Sequence, residues 1–512
     1  MRALKKILED WGMHCFLLPL FFVLHNYMQY YGLVPGPVAT SMLGTIELIF
    51  MGAFVVVLLL SRNINKSLLI VTAAGIPALF YGVVKDFISG TLQLPLLAKY
   101  TVLLPAVLVM EIIIMVWVSR KKDFRKINFF LNLLLLVFIA MDGFLFFRSE
   151  NDLFLQQNLL TKKDTLASPP APVLANTPDV YYLLFDCYPG TDFLQHYLGY
   201  DNMGLDSALK EKGFHVLNHP SSNYNRTAFS MAATLNFNYL KGIHSYTRVT
   251  AQQYKQTVLT VQYASAPEYF QQCGYELYNL SIFDIAAHPS MLKESFLTLP
   301  GKNMLLYNTI SERIRRDIGW NFTIGRFARS RPATDPNFVP PGVISTFLHK
   351  RDFNHTVADS LEKIAAQKTA RPKFIYAHLY LPHPPFFYDK DGKCNDIHEI
   401  TSPAGLVNKE LFFSYLQYSN KVMLSLANHI LKESSRPPVI IIQSDHGCRD
   451  FSGVPFIPAL CFTNYSAFYF PDKNYSMLYD SMSNVNTFPI VFNKYFNTHI
   501  PLARDSSIFL GY

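Results

Sequence analysis

The first third of the chain is built of long apolar blocks, whereas the remainder alternates short apolar runs with amphipathic ones. Five blocks occupy about 13–33, 38–60, 67–84, 101–118 and 127–147. Each approaches the ~20 residues a helix needs to cross a bilayer, so the pattern predicts five membrane helices within residues 1–148. The first block is followed by more of its kind and lacks a small-residue cleavage site, which marks an anchor rather than a removable signal. Residues 149–177 include the stretch ASPPAPVLA and are expected to be a linker.

Beyond residue 178 the period shortens. DVYYLLFD (179–186), KFIYAHLY (373–380) and PVIIIQS (438–444) are almost continuously apolar, as strands covered on both faces should be. SAFYFP (466–471) is a further strand candidate. Residues 407–433 place apolar side chains three and four apart, which suits a long crossover helix between the second and third strands. Strand, helix, strand in this order predicts an α/β domain over 178–512 with a largely parallel central sheet.

Charge adds an orientation. Only 16% of residues are charged, against roughly 25% in soluble domains. Arg2, Lys5 and Lys6 precede the first block, Arg62 and Lys66 follow the second, and Arg120, Lys121, Lys122, Arg125 and Lys126 follow the fourth. The other two loops hold only Lys85 and Lys99. The positive-inside rule therefore puts the N-terminus in the cytoplasm, and five crossings put everything after Arg148 on the periplasmic or extracellular side. Many of the cations behind the net charge of +8 sit in those cytoplasmic loops, and no basic motif with aromatic spacing points to nucleic acid. One basic run remains, 310–331, where Arg313, Arg315, Arg316, Arg326, Arg329 and Arg331 surround Trp320. A solvated basic face is the commoner explanation of such a run, and a patch against anionic lipid headgroups is the other. Five of the six cysteines fall in the outer part, so at least one is unpaired in an oxidising compartment.

In open parallel sheets, ligands gather at the carboxyl ends of strands. The first predicted strand ends on Asp186, and the third runs into Ser444-Asp445-His446-Gly447. The second is followed by LPHPPF, with His383 between prolines. Carboxylate oxygens and an imidazole at neighbouring strand ends are the donors a divalent cation takes. Thr227, in SNYNRTAFSMAATLNFNYL (222–240), stands where a polar run gives way to a helical pattern. A hydroxyl at a helix N-terminus can act on an anionic substrate, although a Thr there is more often an ordinary cap.

Asp186, Thr227 and Asp445-His446 in this order, with Pro382-His383-Pro384-Pro385 before Asp-His-Gly, resemble the alkaline phosphatase/sulfatase superfamily. Membrane crossings followed by such a domain resemble its envelope branch of lipoteichoic acid synthases and phosphoethanolamine transferases. Thr227-Ala228-Phe229-Ser230 is similar to the nucleophile segment of the transferases. The resemblance implies a sulfatase-like fold over 178–512. It implies one divalent metal, zinc or manganese with magnesium as an alternative, held by Asp186, Thr227, Asp445 and His446. Thr227 would be the nucleophile, with Ser230 in reserve, and His383 would steady a phosphate oxygen or protonate the leaving group. The branch usually supplies another histidine soon after Asp-His-Gly. None is present here, and Arg449 or Asn464 are the candidates for that substrate-binding role. His378, within a strand, is expected to be core.

The expected activity is transfer or hydrolysis of a phosphoester headgroup, with a bilayer and a phospholipid donor as partners and a glycan or lipid as acceptor. Two other readings stand beside it. One is a sulfatase-like ester hydrolase without formylglycine, because Cys187-Tyr188-Pro189-Gly190-Thr191 lacks the Arg of the Cys-x-Pro-x-Arg signal. The other is an inactive outer domain on a transporting or scaffolding bundle, for which Glu47, Glu111 and Asp142 within the apolar blocks speak.

Overall fold

The computed structural model describes residues 2–31, 34, 36–149, 159–161, 177–246, 249–285, 288–290, 304–317, 341–402, 404–447 and 451–511. The chain divides into two compact units. One comprises residues 1–157 and 297–331, the other residues 158–296 and 332–512.

The first unit contains helices α1 (Arg2–Asp10), α2 (His14–Gln29), α3 (Gly36–Ser61), α4 (Ile64–Asp86), α5 (Tyr100–Arg120) and α6 (Arg125–Ser149). Among the described residues four helices, α3 to α6, are long and apolar enough to cross a membrane. The first apolar block folds as α2, whose 16 residues fall short of that length. Burial away from water favours paired polar groups, and two such pairings lie inside the unit. His14 bonds Thr72 and Asn128, and the buried Asp142 pairs with His25 at 3.2 Å.

Residues 304–317 also fold with this unit. Met304 and Leu305 join the apolar core formed with α2, α3 and α4. The helix Ile310–Asp317 lays Arg313 against the end of α4. Its guanidinium forks onto both carboxylate oxygens of Asp86 and donates to the Tyr307 carbonyl. A Cβ at Gly82 would stand 2.9 Å from Asn308 Cα and closer still to Arg313, so glycine is what lets this segment lie on α4. The expectation of a solvated basic face fails for Arg313, which is buried and paired. Arg315 pairs with Glu312 within the same helix. Trp320, Arg326, Arg329 and Arg331 lie outside the described residues.

The second unit is an α/β domain around a six-stranded mixed sheet. Its strands are β1 (Asp179–Phe185), β2 (His215–Val216), β3 (Glu276–Leu280), β4 (Lys373–Leu379), β5 (Pro438–Gln443) and β6 (Ser466–Tyr469), in the spatial order β2-β6-β5-β1-β4-β3. β1 pairs in parallel with β4 and β5, and β3 pairs in parallel with β4. β6 runs antiparallel to β5, and β2 antiparallel to β6. Every residue of β1, β4 and β5 is buried, in keeping with their unbroken apolar sequence. The predicted crossover is the helix Lys409–Glu433, begun by Asn408, whose side chain accepts the Leu411 N–H. β3 lies in a stretch where no strand was expected. At the opposite edge from the strand carboxyl ends, buried Lys373 sits 3.6 Å from Asp179 and donates to the carbonyls of Ile364, Ala365 and Gln367. That arrangement supplies a cation to the last turn of the helix Pro341–Ala366.

Candidate metal centre and nucleophile

The parallel strands β1 and β5 are neighbours, so the residues just past their carboxyl ends meet. Asp186, Asp445 and His446 are all buried, and each offers a ligand atom within 4.8 Å of the others. Thr227 opens the helix Thr227–Asn236, and its Oγ1 lies 3.4 Å from His446 Nε2. Four side chains from three distant stretches of the chain thus share one small volume.

The hydrogen bonds around these groups leave lone pairs facing inward. Asp445 Oδ1 accepts from the Cys187 amide at 3.0 Å, whereas its Oδ2 is buried, accepts no hydrogen bond and lies 3.3 Å from His446 Nε2. Asp186 Oδ2 accepts from His378 Nε2 at 3.3 Å, and Asp186 Oδ1 is buried with no hydrogen bond. His446 Nδ1 stands 2.8 Å from the Gly447 carbonyl. Only an N–H can donate there, so the neutral ring turns the bare Nε2 toward Asp445 and Thr227. Two carboxylate oxygens and an imidazole lone pair aimed at one another repel unless a cation lies between them. The residues present therefore fit a divalent ion.

The electrostatics agree. Burial and the charge of Asp186 raise the Asp445 carboxyl above its ordinary range, against the smaller opposing effects of His446, His378 and the Cys187 amide. At Asp186 burial also acts upward. There the electrostatic attraction of His383, the bond and attraction of His378, and the attraction of His446 together prevail and hold the carboxyl below its usual range. Two adjacent buried carboxyls cannot both be ionised at little cost without a positive partner.

Backbone geometry holds the cluster in shape. Cys187 adopts φ +62°, a left-handed conformation costly for a side chain, and this turns its amide onto Asp445. Its thiol is directed at the Gly447 carbonyl, 3.5 Å away. A Cβ at Gly447 would come within 2.9 Å of the Leu460 carbonyl and nearer still to that of Thr463, which explains glycine after Asp-His.

Ser230 is fully buried and donates to the Asp445 carbonyl at 2.6 Å, so it is a brace between helix and loop rather than a reserve nucleophile. His383 lies half-buried after β4, with Nδ1 2.5 Å from the Pro384 carbonyl. Asn464 is fully buried. Its amide nitrogen donates to the Ser444 carbonyl and to Asn484, and the residue also lines a cavity of about 500 Å³ with Gly190, Asp192, His219 and Phe462. That commitment argues against substrate contact through its amide N–H groups. Arg449 lies outside the described residues. His378 is core by burial, yet it bonds a site carboxylate. A histidine within an apolar strand, one pleat pair before the strand end, was the signal available for that contact. The Cys187 amide left no trace in the sequence.

No family model matches this sequence, and no curated protein matches it. Solved structures do. The C-terminal periplasmic domain of EcEptC from Escherichia coli matches with TM-score 0.38 and 13% identity, covering 67% of this chain and 94% of that one. A protein of the alkaline phosphatase superfamily from Vibrio parahaemolyticus matches with TM-score 0.34 and 13% identity, over 66% of this chain and 73% of that one. The integral membrane lipooligosaccharide phosphoethanolamine transferase EptA from Neisseria meningitidis matches with TM-score 0.38 and 12% identity, over 94% of this chain and 95% of that one. The solved structures to which this chain is similar thus include phosphoethanolamine transferases and alkaline phosphatase superfamily members, one of them an integral membrane protein.

Proposed function

We propose that this protein is a membrane-bound, metal-dependent phosphoester transferase that takes a phospho-headgroup from a lipid donor onto Thr227. The observation that carries the reading is the convergence of Thr227 Oγ1 on His446, within a cluster where one buried oxygen of each carboxylate lacks a hydrogen bond. Asp186, Thr227, Asp445 and His446 would hold one divalent cation. Such a cation lowers the pKa of a hydroxyl and offsets the charge of a phosphodiester.

The residues then divide the work. Thr227 loses its proton to solvent and its Oγ attacks phosphorus as the bond from phosphorus to the lipid oxygen breaks. His383 gives the departing alkoxide a proton. An acceptor hydroxyl, or water, attacks the phosphothreonine in the second half, the bond from phosphorus to Oγ breaks, and Thr227 is restored. The helix Thr227–Asn236 would present its first amides to a phosphate held at Thr227. Membrane helices on the same polypeptide raise the effective concentration of lipid donors at this domain. In this reading α2 completes five crossings, the N-terminus is cytoplasmic, and the α/β domain, residues 158–296 and 332–512, lies outside.

Incubating the full-length protein in proteoliposomes with headgroup-labelled phospholipids tests it. Peptide mass spectrometry should find the label on Thr227, absent from Thr227→Ala, and elemental analysis should find about one divalent ion, lost in Asp445→Ala. Cleavage of aryl sulfates with no action on any phosphodiester would reject the transferase reading.

A further inference from the structure

The loop that leads into Thr227 has no regular structure of its own, and a distant part of the chain holds it. Residues 506–511 run alongside 222–226. Tyr224 bridges Ile508 in parallel, the Ile508 N–H donates to the Asn223 carbonyl at 2.9 Å, and the Ser507 hydroxyl donates to the Ser222 carbonyl at 2.8 Å. Asn225, buried, grips Leu510 at both ends. Its Oδ1 accepts the Leu510 N–H at 2.8 Å and its Nδ2 donates to the Leu510 carbonyl at 3.3 Å. Arg226, whose side chain does not cap the following helix, donates to the Gly511 carbonyl at 2.9 Å.

We infer that the segment 506–511 is a strap that sets the position of the Thr227 hydroxyl, with Asn225 and Arg226 as positioning residues. The reasoning is geometric. Thr227 is the first residue of its helix, so the helix fixes it from one side only and the incoming loop must fix it from the other. The two residues immediately before Thr227 spend their side chains on the strap, and none of those bonds involves a group of the site itself. A displacement of about 1 Å at a reacting oxygen costs on the order of 100-fold in rate. The strap's work would therefore be seen in turnover more than in binding. This inference rests on the proposed role of Thr227.

The test uses the full-length protein in detergent with Asn225→Ala, which removes both bonds to Leu510, and Asn225→Asp, which keeps only the acceptor. Asn225→Ala should raise amide exchange of residues 222–231 about tenfold relative to the rest of the domain. It should lower kcat between about tenfold and 100-fold on a phosphodiester substrate, with KM and the metal-to-protein ratio unchanged. Asn225→Asp should recover part of both effects. If Asn225→Ala does not fold, Ser507→Ala, which removes only the bond to the Ser222 carbonyl, should give the same local pattern at about fivefold. Exchange that is unchanged, or that rises equally across the domain, overturns the strap. If the parent protein forms no adduct on Thr227 the nucleophile reading falls, and local exchange still decides whether the strap holds the loop.

Discussion

Ser230 donates a 2.6 Å hydrogen bond from its hydroxyl to the main-chain carbonyl of Asp445, tying the first turn of the helix that opens on Thr227 to the loop that carries a site carboxylate and imidazole. Both partners are fully buried, so nothing replaces the bond if it is lost. Ser230→Ala should cost about 1–3 kcal/mol in denaturant unfolding. It should leave the labelled adduct on Thr227 in place, because the bound hydroxyl is not the attacking one. An adduct that disappears with Ser230 rather than with Thr227 would reverse the assignment.

His378 reaches Asp186 through Nε2 while its Nδ1 is buried without a hydrogen bond. An imidazole that orients a ligating carboxylate typically contributes 10- to 100-fold in metal affinity. His378→Phe keeps the volume and removes the N–H, so competition against a chromophoric chelator should show a loss within about that range. Unchanged affinity would reduce His378 to a core residue.

Gly447 has main-chain carbonyls on the side where a Cβ would go, and carbonyls cannot yield as a flexible side chain can. Gly447→Ala should push the loop out of place, lowering both metal content and stability, the latter by about 1–3 kcal/mol. Elemental analysis and unfolding in parallel check this. Full metal content with wild-type stability would show that the loop adapts freely.

Arg313 ties the segment 304–317 to the end of α4. Arg313→Ala removes the forked pair with Asp86, the bond to Tyr307 and the packing on Gly82, and should cost that unit about 1–3 kcal/mol. Arg313→Lys should restore little, because an ammonium lacks the planar fork. Among the described residues the tryptophans are Trp11 and Trp117, both in this unit. Thermal unfolding in detergent followed by tryptophan fluorescence therefore reports on it, and identical transitions in all three proteins would count against the tie.

How far each part was legible depended on the range of the interactions that specify it. β1, β4 and β5 and the crossover helix could be placed from their runs of apolar residues, because burial on both faces or on one helical stripe writes itself locally. β3 could not, since three of its five residues are only half-buried. The 16-residue α2 shows the same limit from the other side. Its apolar block extends beyond the helix, and composition alone does not set where a helix stops. The basic run from 310 misled for Arg313 because the charge that neutralises it, Asp86, lies 227 positions away.

By itself, the sequence determined that apolar helices precede an α/β domain, and which acids, histidines and hydroxyls stand at the ends of its elements. Those are consequences of periodicity and of turn chemistry, which act over a few residues. Only the tertiary structure decided that Ser230 braces rather than reacts, that His378 touches Asp186, that the Cys187 amide serves Asp445, and that residues 506–511 hold the approach to Thr227. Each of these is a hydrogen bond between groups brought together by burial of the sheet. No local pattern encodes the direction in which a buried donor finds its acceptor.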